Sequence, residues 1–335
     1  MSRLVVRVAI DLDGSLEPMG DTMNELSMAL MERGVDLVPF ASARGEHRIV
    51  PQRTFRAPFT QLWRRGYGPA IDRLLPPVDV IHVAGRQVPP TIRTPLVVSV
   101  DDLRPLIDAE ESARGAQLQL AVARGAILVA TSYAARRRVV RALDLEASDI
   151  AVAFPAVPTL SPPREARHVV VSVTGVVDQF LAMAPAIVRC ARDLNLSVVA
   201  LASREAGNKI RAHTPDVVVA PRDRARQLLA EAHTVIHLSD GARFPSLPIA
   251  AVGIGLPVVA TSTDVNRELL EGCADLIAEN EASEALAVIV RAMTDEAHRG
   301  LLGSAGRPRA NDFTPDVAAQ RYEGLYRDAV ASWSR

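Results

Sequence analysis

Carboxylates and arginines placed just past short β-branched runs are the residues of this 335-residue chain with the most chemistry to offer. In the first half, Asp11, Asp13, Arg44, His82, Asp101 and Asp102 all fall at or beyond the ends of such runs. Asp101 is the candidate general base, because taking a proton from an acceptor hydroxyl needs a carboxylate or imidazole within hydrogen-bond reach. A base acting in that way points to inversion at the reacting carbon. Asp102 suits a helix cap, and His82 suits a satisfied, half-buried position. In the second half, SDGARFPSLPIAAVG turns the chain from strand to helix. Phe244, Ser246 and Leu247 line that turn, and the free amides of a helix start can receive a phosphate. The plainer reading is a strand-to-helix connection capped by Ser246. Arg204 and Lys209, after LSVVALA, are further basic candidates for a phosphate, with solvated loop charge as the plainer alternative. The acidic run from Asp101 to Glu111 fits no ligand spacing, so no metal is expected.

These residues need a scaffold that brings strand ends together. Short β-branched runs alternate with longer helix-patterned stretches, the signature of βαβ units and parallel sheets. The runs cover 4–10, 35–40, 78–84, 96–100, 127–131 and 150–154, then 168–174, 196–202, 217–220, 234–238 and 257–261. Between the two sets, VPTLSPPREAR (157–167) holds three prolines and reads as a stiff linker. A helix from about Asp21 to Arg33 is closed by Gly34. Another, capped by Thr314, runs through Tyr322 and Tyr326 to about Ser332.

Length allows two domains that share a cleft. The formal net charge of -1 excludes a global field for nucleic acid or membrane, so a charge-seeking partner must use a local patch. Lys209 is the only lysine among 38 Lys+Arg, which assigns anion binding to arginine forks and backbone amides. Cys190 and Cys273 are too few for a disulfide framework and suit a reducing cytoplasm. The N-terminal apolar run is broken by Arg7 and closed by Asp11 and Asp13, so it reads as a strand rather than a signal peptide. No apolar run is long enough to span a bilayer.

From Thr234 onward the chain resembles the nucleotide-sugar half of family-four, GT-B-type retaining glycosyltransferases, whose pattern reads E-G-F-G-L-P-x-L-E-A-M-A-x-G-x-P-V-V-A-S. Pro257, Gly255, Ala251 and Phe244 match it, Pro248 falls one place late, and Glu268 stands at a matching acidic position in the segment that follows. DVIHVAG (79–85), VSVDDLRP (98–105), ILVATSYAARRRVVRALDL (127–145) and DIAVAFPAVP (149–158) resemble successive segments of the family's first half. The resemblance covers nearly the whole chain. It implies an α/β, GT-B fold with two Rossmann-like doubly wound parallel-sheet domains facing a central cleft. Residues 1–160 would form the acceptor-side domain, 161–312 the nucleotide-sugar domain, and 313–335 a helix returning to the first.

The resemblance also implies a site. Gly20 corresponds to a glycine that approaches the donor phosphates, and Arg222 stands where the family recognises the base. Two glutamates expected eight residues apart are Ala242 and Ala250, neither able to accept a hydrogen bond from a hydroxyl. The Arg and Lys expected after the first strand of the second half are absent from TGVVDQFLAMAP (174–185), and Asp101 replaces a histidine. Asp240, two positions before Ala242, is the candidate substitute carboxylate. Two readings follow. One is an enzyme moving a sugar from a nucleoside-diphosphate sugar to a hydroxyl acceptor, without a metal, with Asp101 and Asp240 as its catalytic carboxylates. The alternative is a catalytically inactive glycosyltransferase-like subunit that binds a protein partner or a glycan. PSLPIAAVGIGLP keeps the loop frame that a scaffold would not need, which favours the enzyme.

Overall fold

The computed structural model describes residues 6–12, 22–41, 49–55, 59–65, 67–83, 88–100, 112–163, 165–278 and 281–333. Asp13, Gly20, Arg44, Asp101 and Asp102 lie outside them. Two compact units are present. One is built from residues up to Ala156 together with Pro315–Arg335, the other from Val157–Thr314.

The first unit contains β1 (Arg7–Asp11), α1 (Thr22–Glu32), β2 (Asp36–Ala41), β3 (Arg53–Thr54), α2 (Phe59–Arg64), β4 (Val80–Val83), β5 (Leu96–Val100), α3 (Ser112–Ala123), β6 (Ile127–Ala130), α4 (Tyr133–Leu143) and β7 (Ile150–Val152). Its strands pair in parallel in the order β3-β2-β1-β4-β5-β6-β7. Every residue of β4 and β5 is buried, His82 and Ser99 included, as strands covered on both faces require. One face packs Val98, Val100 and Leu128 against Leu118 of α3 and Val139 and Leu143 of α4. Gly34 closes α1 at φ +81°, its amide donating to the Met31 carbonyl.

The second unit contains β8 (His168–Thr174), α5 (Val177–Asp193), β9 (Ser197–Leu201), α6 (Arg204–His213), β10 (Val217–Ala220), α7 (Ala225–Leu229), β11 (Ala232–Ser239), α8 (Ser246–Gly253), β12 (Val258–Thr261), α9 (Asp264–Leu270), β13 (Asp275–Ile277), α10 (Ala282–Thr294) and α11 (Glu296–Ala310). The parallel order is β10-β9-β8-β11-β12-β13. Val169, Val171, Val173, Ile236 and Leu238 point to one face, where α5 and α10 bury Phe180, Met183, Ile187 and Ile289. On the other side α8 and α11 pack closely. A Cβ on Gly303 of α11 would stand 2.6 Å from the Gly255 carbonyl oxygen, so the helix can approach only as glycine. That approach fixes the height of α8 over the sheet.

The last helix, α12 (Pro315–Trp333), belongs to the first unit. Thr314 is extended and Pro315 takes the first helical position, where its missing N–H costs nothing. Ala318, Tyr322 and Tyr326 of α12 join Met23, Leu26 and Leu30 of α1 over Val8, Ile10, Val80 and Val97. Both expected sheets are present. The edge strands β3 and β13 are additions that the sequence patterns did not predict.

Candidate functional site

In each sheet the strand order reverses once, between β1 and β4 in the first unit and between β8 and β11 in the second. Ligands of open parallel sheets bind beyond the carboxyl ends of the strands at such reversals. At the second, Ser172 and Thr174 of β8 pair in register with His237 and Ser239 of β11. Alternation places all four side chains on the face opposite the Val171 and Val173 core, and all are buried. The Ser172 and Thr174 hydroxyls and the His237 Nδ1 have no hydrogen-bond partner. Burial, reinforced by the Arg222 charge, lowers the His237 pKa to about 4 and keeps the imidazole neutral. Buried polar groups are nearly always paired, so the three unpartnered atoms make this strip the candidate polar site of the second unit.

The loops after β8 and β11 meet directly. The Asp240 amide donates to the Thr174 carbonyl at 3.1 Å, and the Asp240 Oδ1 accepts the Ala242 amide at 3.0 Å. The same carboxylate lies against Gly175, which holds φ +84° and whose Cβ, were there one, would fall 2.2 Å from Oδ2. Only glycine tolerates both conditions. A carboxylate therefore stands on the turn where Ala242 provides none. Arg222, just past β10, reaches back to the end of β8, where its Nη2 donates to the Val173 carbonyl at 3.2 Å. The loop that lacks its own Arg or Lys thus receives a guanidinium from 49 residues along the chain.

The start of α8 differs from expectation. Its N-cap is Pro245, with no side-chain cap, and Ser246 is already the first helical residue. The Ser246 hydroxyl is buried and without a partner, so it does not cap the helix. Phe244 and Leu247 do not line an open turn either. Phe244 packs edge-on against Phe313, with ring centroids 5.9 Å apart, and Leu247 is wholly buried. The Ser246 amide is committed to the Phe244 carbonyl at 3.0 Å, and Pro248 has no N–H. The Leu247 amide remains as the first-turn donor without an intrahelical acceptor. Ala242 and Ala250 are both buried, while Glu268 is half-buried on α9.

Other candidates lie apart from this cluster. Arg204 is exposed at the start of α6, whose cap is Ser203 accepting the Ala206 amide. Lys209 is engaged by Asp178 of α5 through an exposed ion pair, which leaves it poorly placed for a phosphate. Asp11 is buried at the end of β1. His82 is wholly rather than half buried. It is satisfied on both ring nitrogens, Nδ1 with the Tyr326 hydroxyl and Nε2 with the Ser99 hydroxyl, each at 2.8 Å. Desolvation holds its pKa near about 3, so it is a neutral structural residue. Among the described residues, no group of three His, Cys, Asp or Glu side chains is placed to hold a metal.

Sequence reasoning passed over Ser172, Thr174 and His237. Their signal was present, since polar residues alternate with apolar ones at Ser172 and Thr174 at the end of HVVVSVT and again at His237 and Ser239.

No protein-family model matches the chain, and no curated protein does. Solved structures match it over nearly its whole length. The Anabaena protein Alr3699/HepE, solved in complex with UDP and glucose, is 17% identical with a TM-score of 0.70, over 96% of this chain and 100% of that one. Sucrose-phosphate synthase from Thermosynechococcus elongatus is 15% identical with a TM-score of 0.69, over 98% and 100%. WaaG, a glycosyltransferase involved in lipopolysaccharide biosynthesis, is 14% identical with a TM-score of 0.65, over 94% and 99%. The chain has the GT-B fold that these proteins share.

Proposed function

We propose that this protein is a glycosyltransferase that takes a sugar from a nucleoside-diphosphate donor and delivers it to a hydroxyl acceptor. The observation that carries the reading is the convergence of Asp240 and Arg222 on the loop after β8. The two kinds of group whose usual sequence positions are vacant, a carboxylate and a cation, are both supplied there from elsewhere in the chain. A scaffold without a ligand would gain nothing from holding them together.

In this reading Arg222 faces charge that develops on the leaving diphosphate, a contribution often worth a few kcal/mol. Asp240 accepts hydrogen bonds from hydroxyls of the transferred sugar. Its Oδ1 is already oriented by the Ala242 amide, so little ordering cost remains. Ser172, Thr174, His237 and Ser246 supply neutral polar partners, and the Leu247 amide a phosphate contact. The acceptor-side base is assigned to Asp101, outside the described residues, and Gly20 and Arg204 keep secondary donor roles. The reaction is metal-independent and its setting is the reducing cytoplasm.

Calorimetry and thermal shift with UDP, GDP, ADP, TDP and their sugars test this reading. A ligand that binds only the folded state raises the melting temperature in proportion to the logarithm of its concentration over its Kd. One nucleotide is expected to do so, and Arg222→Ala and Asp240→Asn to weaken it. If none stabilises the protein, or if both variants bind like the parent, the reading fails. Stable co-purification of a partner without nucleotide binding would assign the chain to the inactive-subunit class.

A further inference from the structure

The backbone ladder between β11 and β12 ends at His237 and Ala260, short of the turn that carries Asp240. Beyond it, side chains take over. The Ser239 amide donates to the Thr261 Oγ1 at 3.2 Å, and the Asn266 Nδ2 donates to the Thr261 carbonyl at 2.8 Å and to the Ser239 hydroxyl at 3.4 Å. Thr263 completes the join. Its Oγ1 accepts the Asn266 amide at 3.2 Å, and its own amide donates to the Thr261 carbonyl at 2.8 Å. The same threonine stands against Gly241, which holds φ +68° and whose Cβ, were there one, would fall 2.7 Å from the Thr263 Cβ. The turn of Asp240 and Gly241 is thus walled on both sides, by Gly175 after β8 and by Thr263 after β12.

This join is made at a cost. The inner stripe of α9 buries Val265, Asn266, Leu269 and Leu270, and at the second of these an apolar side chain would spare the desolvation of an amide. Asn266 and Thr261 are each only 1% exposed, and Ser239 is buried with them. A buried polar network whose members bond one another fixes a single arrangement, where apolar packing tolerates several. Here the arrangement that is fixed is the pair of strand ends from which the Asp240 turn departs.

We propose that Asn266 and Thr261 are positioning residues for Asp240. They clamp Ser239, the residue before it, to β12, while the Asp240 amide is bonded to the Thr174 carbonyl of β8. The carboxylate therefore leaves the sheet at one place and in one direction. The inference rests on the donor reading above, in which a carboxylate held in that way meets sugar hydroxyls with little further ordering. The clamp acts on Asp240 and not on Arg222, so its loss falls on recognition of the sugar rather than of the diphosphate.

Two measurements on the full chain test this. One is hydrogen exchange at the Asp240 and Ala242 amides without ligand; the other is calorimetry with UDP, GDP, ADP and TDP and with their glucose conjugates. Asn266→Ala and the shape-keeping Thr261→Val should speed exchange of both amides by about tenfold or more. Both should lower affinity for the nucleotide sugar by about tenfold, toward that of the bare diphosphate, whose own affinity stays unchanged. Thr261→Ser keeps the hydroxyl and loses only a methyl group, so it should behave like the parent. Val265→Ala trims the same helix face without touching the clamp, and should alter neither readout. Parent-like exchange in Asn266→Ala and Thr261→Val overturns the proposal, and so does equal acceleration in Val265→Ala or in Thr261→Ser. Faster exchange with an undiminished preference for the sugar conjugate overturns it as well. If the parent chain binds no nucleotide sugar, the donor reading falls by itself, and exchange alone decides whether the clamp holds the turn.

Discussion

The His82 Nδ1 and the Tyr326 hydroxyl lie 2.8 Å apart, wholly buried, and join β4 to the last helix of the chain. Ser99 bridges the other imidazole nitrogen to the Tyr322 hydroxyl at 3.0 Å, so four polar groups satisfy one another inside an apolar layer. Tyr326→Phe leaves one imidazole nitrogen without a partner and should cost about 1–3 kcal/mol, seen as a lower thermal midpoint. Tyr322→Phe should cost less, because Ser99 still has His82. Equal losses would show that packing, not hydrogen bonding, decides.

Acid should weaken the fold before the carboxylates titrate. His82 and His237 have folded-state pKa values near about 3 and about 4 against an ordinary 6.5. Above 6.5 neither state binds the proton, and stability is complete. As pH falls below that value the unfolded chain protonates and the folded one does not, so stability declines by about 1.4 kcal/mol per pH unit for each group. Thermal midpoints measured between pH 7 and pH 5 should fall, and His237→Leu should remove less than half of the slope, because the half-buried His233, its pKa lowered to about 4, loses stability in the same window as His82.

Ser246→Ala should separate stability from binding. The hydroxyl is buried and unpartnered, so its removal relieves a desolvation penalty of about 1 kcal/mol or more and raises the melting temperature. The same change should weaken binding of the nucleotide sugar. Thr174→Val, which keeps the shape, should behave alike. A loss of stability without any loss of affinity would contradict the ligand role of both hydroxyls.

Gly175→Ala probes the seat of Asp240. A methyl group there meets the carboxylate and must also adopt φ +84°, so the side chain is displaced from its turn. Donor affinity measured by calorimetry is expected to fall about as far as in Asp240→Asn, and the double variant should add little, because the two residues are in contact.

Gly303→Ala acts at a distance. Its Cβ would meet the Gly255 carbonyl at 2.6 Å, so α11 must lift from α8, at a cost of about 1–3 kcal/mol. If α8 carries the donor site, affinity falls as well. Gly300→Ala, which meets nothing on the same helix, should instead leave affinity unchanged and raise stability by about 0.5–1 kcal/mol.

The strands were legible as short runs rich in β-branched residues. β8, in the middle of its sheet, and β10, at its edge, both occupy the residues that the pattern gives them. β3 and β13 were not legible, since two exposed residues, Arg53 and Thr54, and the three of Asp275–Ile277 carry no periodicity to read. The same limit applies at the site. The vacancies at Ala242 and Ala250 could be read off the chain, and so could Asp240 as a neighbour. What could not be read was that Arg222 reaches β8, or that Asp178 engages Lys209, because both are contacts between segments far apart in sequence. Ser246 misled because a serine before an apolar run looks like a cap, whereas Pro245 takes the cap position itself.

The order in which the chain leaves the ribosome gives the last helix a further meaning. Residues up to Ala156 emerge first, yet the face of their sheet carrying Val8, Ile10, Val80 and Val97 receives Tyr322 and Tyr326 only after the whole of Val157–Thr314 has been made. The half synthesised first is thus completed last. A nascent chain must carry that greasy, uncovered surface, with His82 and Ser99 still wet, through more than 150 residues of further synthesis at roughly 5–20 residues per second. The interval, about ten seconds or more, is when the protein is most exposed to aggregation and most in need of a chaperone.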